Sequence, residues 1–148
     1  MRALLQRVSR ASVSVDGEVV GAIGRGLLVL VGVSREDSPE TAQALARRAV
    51  ELRIFEDEDG RTNRSLLDIG GEALVVSQFT LYADTSRGRR PGFLAGALPD
   101  HAVRLYKLFA SVVEGAGVRV ATGRFGAKMA VELVNDGPFT IWLDSDDR

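Results

Sequence analysis

The chain has 148 residues, 45% hydrophobic and 26% charged, with a formal net charge of −1 and no cysteine. That length suits one domain with a sizeable core. The missing cysteine excludes disulfides and thiolate metal sites, and the near-neutral balance argues against binding nucleic acid by bulk charge alone.

The first third reads as strands. Ala3 to Val8 is one, and Ala11 to Val15 alternates apolar with small or polar residues at period two. Asp16-Gly17 is a hairpin signal, with the return strand over Glu18 to Ile23. Leu27 to Val33 is a continuous apolar run suited to a strand buried on both faces. It is the longest such run and far too short to span a membrane. Ser38-Pro39 opens a helix in which Ala42, Leu45, Ala46, Ala49 and Val50 share one face. Glu56 to Gly71 is polar and glycine-bearing and reads mostly as loop.

Ala73 to Gln78 is a buried strand leading into Ser77-Gln78-Phe79-Thr80-Leu81. Asp84 to Gly96 is a loop rich in Arg and Gly. Pro99-Asp100 opens a second helix with Ala102, Leu105, Tyr106, Phe109, Val112 and Val113 on its apolar face, ended by Gly115 and Gly117. Val118 to Ala121, Met129 to Val134 and Phe139 to Leu143 are three closing strands, and Asp144 to Asp147 reads as a solvated acidic end. The expected fold is α/β: residues 1–148 as a single domain, with two mixed β-sheet layers and two helices packed on one side, a three-layer β/β/α arrangement.

The usual catalytic equipment is missing. His101 is the only histidine and sits at a helix start, where a solvated residue is the ordinary expectation. There is no G-x-S-x-G elbow, no P-loop and no dinucleotide fingerprint, and the common metal ligands are lacking. Backbone groups and hydroxyls remain. At Ser77-Gln78-Phe79-Thr80 a buried strand ends, and successive N–H groups there can face a developing oxyanion. A plain strand end is the competing reading, and Thr80 as a nucleophile has no base nearby in sequence.

Arg87, Arg89 and Arg90, with Phe93, make a loop that is either a solvated charged face or a site of phosphate contact and base stacking. Arg124 and Lys128 flank another glycine-containing loop. Asn135-Asp136-Gly137-Pro138-Phe139-Thr140 places a Gly-Pro pair between two strands. Taken alone it is a turn, although X-Pro is also the one ordinary peptide bond with a real chance of being cis.

Together these segments resemble the D-aminoacyl-tRNA deacylases over nearly the whole length. The resemblance runs through Leu4 to Val13, Ser77 to Leu81, Arg87 to Phe93, Thr122-Gly123-Arg124-Phe125-Gly126-Ala127-Lys128-Met129 and Asn135 to Thr140. It implies a metal-free and cofactor-free carboxylic ester hydrolase that releases D-amino acids from tRNA, and glycine mischarged on tRNA-Ala. It implies a homodimer in which Gly137 and Pro138, joined by a cis bond, enter the partner's active site and reject L-residues with backbone oxygens. Ser77, Gln78, Phe79 and Thr80 then form the catalytic segment, assisted by the RNA 2′-OH. Arg7, Arg87, Arg89, Arg90 and Phe125 offer support or tRNA contact.

Two positions depart from the family's habit: Phe139 replaces the usual Val, and Gly92 a common Ser. The alternatives are a covalent esterase using Thr80 and a nucleic-acid-binding module without catalysis. Aminoacyl-tRNA is the expected partner, with no DNA and no membrane. The cytoplasm is the expected location, because charge and alternation enter the first residues too early for a signal peptide.

Overall fold

The computed structural model describes residues 1–147. Its strands are β1 (Arg2–Val15), β2 (Glu18–Ile23), β3 (Gly26–Gly32), β4 (Phe55–Glu56), β5 (Thr62–Arg64), β6 (Glu72–Ser77), β7 (Arg119–Thr122) and β8 (Ala130–Asp144). Its helices are α1 (Pro39–Glu51), α2 (Leu66–Ile69) and α3 (Pro99–Gly115). The main sheet has six strands in the order β2-β1-β3-β6-β7, with β8 paired to β1. β3, β6 and β7 run parallel, and the pairings of β1 with β2, β3 and β8 are antiparallel. The α/β class and the mixed sheet are as the sequence predicts.

The two layers are parts of this one sheet. On β1, Ala3 and Leu5 join the core beneath the helices, whereas Val8, Ala11 and Val13 join a second core on the other face. A regular strand would keep residues 3, 5, 11 and 13 on the same side. The register of β1 against β8 slips by one residue between Val8 and Arg10, and a slip of that size reverses the facing. β1 therefore serves both layers, and β3 and β6 lie between them: Val29 and Val75 face the helices, Leu28 and Leu74 the second core.

α1 begins as predicted, with Ser38 Oγ accepting from the Thr41 N–H at 3.2 Å and Pro39 in the first turn. Its buried face is Ala42, Leu45, Ala46, Ala49 and Val50. α3 buries Leu105, Tyr106, Phe109, Ala110 and Val113.

Three expectations need correcting. The polar stretch after Glu56 contains a third, one-turn helix, α2, held by a capping box in which Ser65 and Asp68 each bond the other's backbone N–H. His101 is half-buried, and its Nε2 donates to the Asp37 carbonyl at 2.8 Å. Asp144 is not a free tail residue: its carboxylate takes Arg2 Nε at 3.1 Å.

Glu72 of β6 ties the turn between β2 and β3 to β7 at one end of the sheet. Its carboxylate is held below the ordinary range first by the Gly24 N–H at 2.8 Å and then by Arg119. A depressed folded value means stability that is present above the unfolded pKa and is lost as pH falls through the folded one. Glu72→Gln should cost about 1 kcal/mol at pH 7, where the partly exposed Arg119 pair adds little. In chemical denaturation the difference from the parent should begin to shrink as pH falls through the ordinary glutamate range, about 4.3, and vanish only below the depressed folded value.

Candidate active site

β6 emerges from the sheet at Ser77, and the chain turns at once into a short 3-10 helix, Phe79–Tyr82. The Gln78 N–H is taken by the Val31 carbonyl at 2.7 Å. The first N–H groups of a helix have no partner within it. Those of Phe79 and Thr80 have no acceptor elsewhere among the described residues either. The segment therefore presents two adjacent backbone donors.

Phe79 lines a cavity of about 470 Å³, and Thr80 follows it just outside the lining. Ser77, Gln78 and Phe79 form one wall, Pro99 and Ala102 of α3 another, and Phe125, Met129 and Val131 a third. Phe93 crosses the mouth and meets Phe79 edge to face, centroids 5.1 Å apart. The cavity is apolar apart from the strand end, so a charge developing there meets little water and acts strongly on fixed dipoles.

The side chains near it supply no base. Thr80 is exposed, lies outside the cavity lining, and its Oγ1 neighbours Gln78 Nε2. An oxygen that accepts an amide N–H is a weaker nucleophile, not a stronger one. Tyr106, behind Phe125 with ring centroids 6.0 Å apart, donates its OH to the Val75 carbonyl at 2.8 Å. Burial pushes its phenol up to about 12, so it is a fixed donor at neutral pH. Among the described residues no group of three or more His, Cys, Asp or Glu is placed to hold a metal ion.

Gly137 and Pro138 lie elsewhere in the same chain. Gln6 pairs with Thr140 and Val8 with Asn135, so Asp136, Gly137, Pro138 and Phe139 all stand opposite Arg7 alone. The four form an excursion from the middle of β8, exposed at Gly137 and Pro138, with a cis Gly137–Pro138 bond and Gly137 at φ +120°. Asn135 closes its base: Oδ1 accepts from the Phe139 N–H at 3.1 Å, and Nδ2 donates to Thr140 Oγ1 at 3.0 Å.

Arg7 holds the excursion from within. It is buried, and its Nη1 donates to the Ile54 carbonyl at 2.7 Å. Its Nε meets the Asp136 carbonyl at 3.3 Å and the Asp136 carboxylate at 3.2 Å. The guanidinium carbon lies 4.8 Å from the centre of the Phe139 ring. Arg7 thus holds the backbone at Asp136, the residue before the Gly-Pro pair, and Phe139 has a reason: it covers a buried cation.

On β3, Arg7 pairs with Leu27 and Ser77 with Val31, so loop and cavity are separated by four residues, roughly 13 Å along the strand. Neither Gly137 nor Pro138 lines the cavity of its own chain. The structure thus gathers Ser77, Gln78, Phe79 and Phe125, and sets Arg7, Gly137 and Pro138 apart as a second group. Arg87, Arg89 and Arg90 are exposed on the loop leading to Phe93, and among the described residues none is in an ion pair.

Known proteins carry the same pattern. A family model described as D-Tyr-tRNA(Tyr) deacylase matches residues 4–144. The chain belongs to the D-aminoacyl-tRNA deacylase family. It is 64% identical to the D-aminoacyl-tRNA deacylase of Roseiflexus sp. (strain RS-1), covering 98% of this chain and 94% of the relative. The counterpart from Thermus aquaticus is 55% identical over 100% of this chain and 97% of its own length.

A solved structure titled c-Myc DNA Unwinding Element Binding Protein is 41% identical, with a TM-score of 0.91 over 97% of this chain and 98% of that one. A probable eukaryotic D-amino acid tRNA deacylase, at 22% identity, shares the fold with a TM-score of 0.82 over 96% and 97% of the two chains. Membership of the deacylase family makes the chain a hydrolase. Among the described residues no helix is long and apolar enough to cross a membrane.

Proposed function

We propose that this deacylase cleaves the ester between a D-amino acid and the 3′ end of tRNA, and that its chirality filter is made of backbone. The observation that carries the reading is a cavity with no side-chain base, bordered at Phe79 by two successive backbone donors, those of Phe79 and Thr80, that are unpaired among the described residues. Water adds to the ester carbonyl, and the resulting oxyanion takes the Phe79 and Thr80 N–H groups. The carbon–oxygen bond then breaks and its electron pair passes to the ribose oxygen, which takes a proton. The neighbouring ribose 2′-OH passes the attacking water's proton to that oxygen, so the RNA supplies the assisting hydroxyl and the protein supplies position. Free D-amino acid and tRNA leave, and the cytoplasm, where tRNA is charged, is the place of action.

Gly137 and Pro138 act in the cavity of a second copy. Among the described residues β8 pairs only with β1, and it exposes Val131, Val134 and Trp142. A bare strand edge of fifteen residues is a template for another chain. Val131 lies on that edge and also lines the cavity, so a copy docked on β8 reaches the cavity mouth. Its exposed Gly-Pro oxygens meet the side chain of an L-residue and leave a D-residue or glycine untouched. Discrimination by repulsion needs no attractive contact. Glycine charged on tRNA-Ala is therefore a second substrate.

The test is parallel hydrolysis of D-Tyr-tRNA and L-Tyr-tRNA. The D form should be favoured by about 100-fold or more, the equivalent of about 3 kcal/mol of steric rejection. Equal rates would overturn the filter. Chelator should leave the D rate unchanged.

Thr80→Val should keep most of the turnover, within about tenfold of the parent, because the donor assigned to residue 80 is its backbone N–H. Complete loss with the fold intact would point to a covalent Thr80 ester instead. The unpaired Arg87, Arg89 and Arg90 favour RNA contact, which a non-catalytic binding module would also make; turnover separates the two.

A further inference from the structure

We propose that the groove between α3 and β7 receives the phosphodiester backbone of the substrate RNA just before its 3′ end. The inference rests on the deacylase reading above. The groove, about 680 Å³, is lined on α3 by Val103, Tyr106, Lys107, Ser111 and Glu114 and, at and beyond the end of β7, by Thr122 and Arg124.

Phe125 lines both this groove and the catalytic cavity. α3 also continues from one to the other: Pro99 and Ala102 wall the cavity, and Val103 and Lys107 come next along the helix. Lys107 is five residues beyond Ala102, about 8 Å along the axis. A polymer with its 3′ end in the cavity can therefore pass Phe125, whose ring suits base stacking, and bring its next phosphate to Lys107.

The charge is right for that occupant. Lys107 and Arg124 are exposed, and among the described residues neither is in an ion pair. Ser111, one turn beyond Lys107, and Thr122 add hydroxyl donors. Glu114 is the groove's carboxylate. It lies two turns past Lys107, about 10 Å away, a distance over which salt screens exposed charges.

The test uses a Lys107→Gln/Arg124→Gln double variant, an Arg87→Gln/Arg89→Gln/Arg90→Gln triple variant and the parent. Each is assayed on D-Tyr-tRNA, on the D-tyrosyl ester of adenosine, which has no phosphate, and for binding of uncharged tRNA by fluorescence anisotropy. In the double variant the ratio of kcat/KM for tRNA to that for the ester should fall about tenfold. Its log–log salt slope for tRNA binding should flatten by about 1.4, two phosphates at about 0.7 each.

An unchanged ratio and salt slope would overturn the groove. So would equal losses on both substrates, which indicate a disturbed cavity, or a deficit confined to the triple variant, which moves the RNA path to the arginine loop. Failure of the deacylase reading would show separately, as a parent that binds tRNA but does not hydrolyse D-Tyr-tRNA.

Discussion

Gly137→Ala is expected to lower the preference for D- over L-aminoacyl-tRNA by about tenfold to a hundredfold. Two independent features oppose a side chain there. The residue sits at φ +120°, which an L-residue rarely adopts. An added Cβ would also stand 3.0 Å from Arg7 Nη2, and that nitrogen belongs to a guanidinium fixed by Ile54 and Asp136. Strain of this kind is about 1–3 kcal/mol, and the loop relieves it by moving. If its position is what rejects L-residues, each 1.4 kcal/mol of lost rejection is about tenfold in relative rate. Single-turnover hydrolysis of D-Tyr-tRNA and L-Tyr-tRNA measures it. A folded variant with unchanged preference would show that the filter lies elsewhere.

Arg7→Met is expected to lower stability by about 1–3 kcal/mol, the usual cost of leaving a buried acceptor, here the Ile54 carbonyl, without its donor; the Asp136 carboxylate is more than half exposed and its ion pair adds little. The loss leaves the Ile54 carbonyl without its donor and Asp136 without its cation, and removes the charge over Phe139. Arg7→Lys should recover only part. One ammonium cannot reproduce the planar fork that serves Ile54 and Asp136 together while stacking on a ring. Urea titration gives the stability order parent, Lys, Met. The same order in D-over-L preference would tie the loop's position to the cluster, and a stability loss without a selectivity loss would separate the two.

Much of the fold is legible in the sequence because its rules are local. Five apolar residues at helical spacing fix the buried face of α1, and Asp16-Gly17 fixes the first hairpin. The missing pieces depend on distant partners. Nothing in Ala3 to Val15 says that one strand crosses from one core to the other, because the bulge that turns it is set by its register with β8. α2 was available in Ser65-Leu66-Leu67-Asp68, a capping sequence obscured by the polar stretch around it.

At the site, Ser77 to Thr80 and the Gly-Pro pair are visible as motifs. The burial of Arg7 and its stacking with Phe139 are not, since an arginine on a strand is usually at the surface. Lys107 gives no signal at all: its interest comes from the groove it borders.

The pairing of β1 with β8 carries a consequence for how the molecule is made. Leu4 finds its neighbour in Trp142, and Val13 in Val131. Contacts so far apart in sequence close late, and topologies dominated by them fold in milliseconds to seconds rather than microseconds. During synthesis, the flank of β1 that β8 will cover stays open until β8 leaves the ribosome. A nascent chain arrested before β8 holds an uncovered strand through both cores, a natural client for a chaperone. The first strand to be made waits for the last.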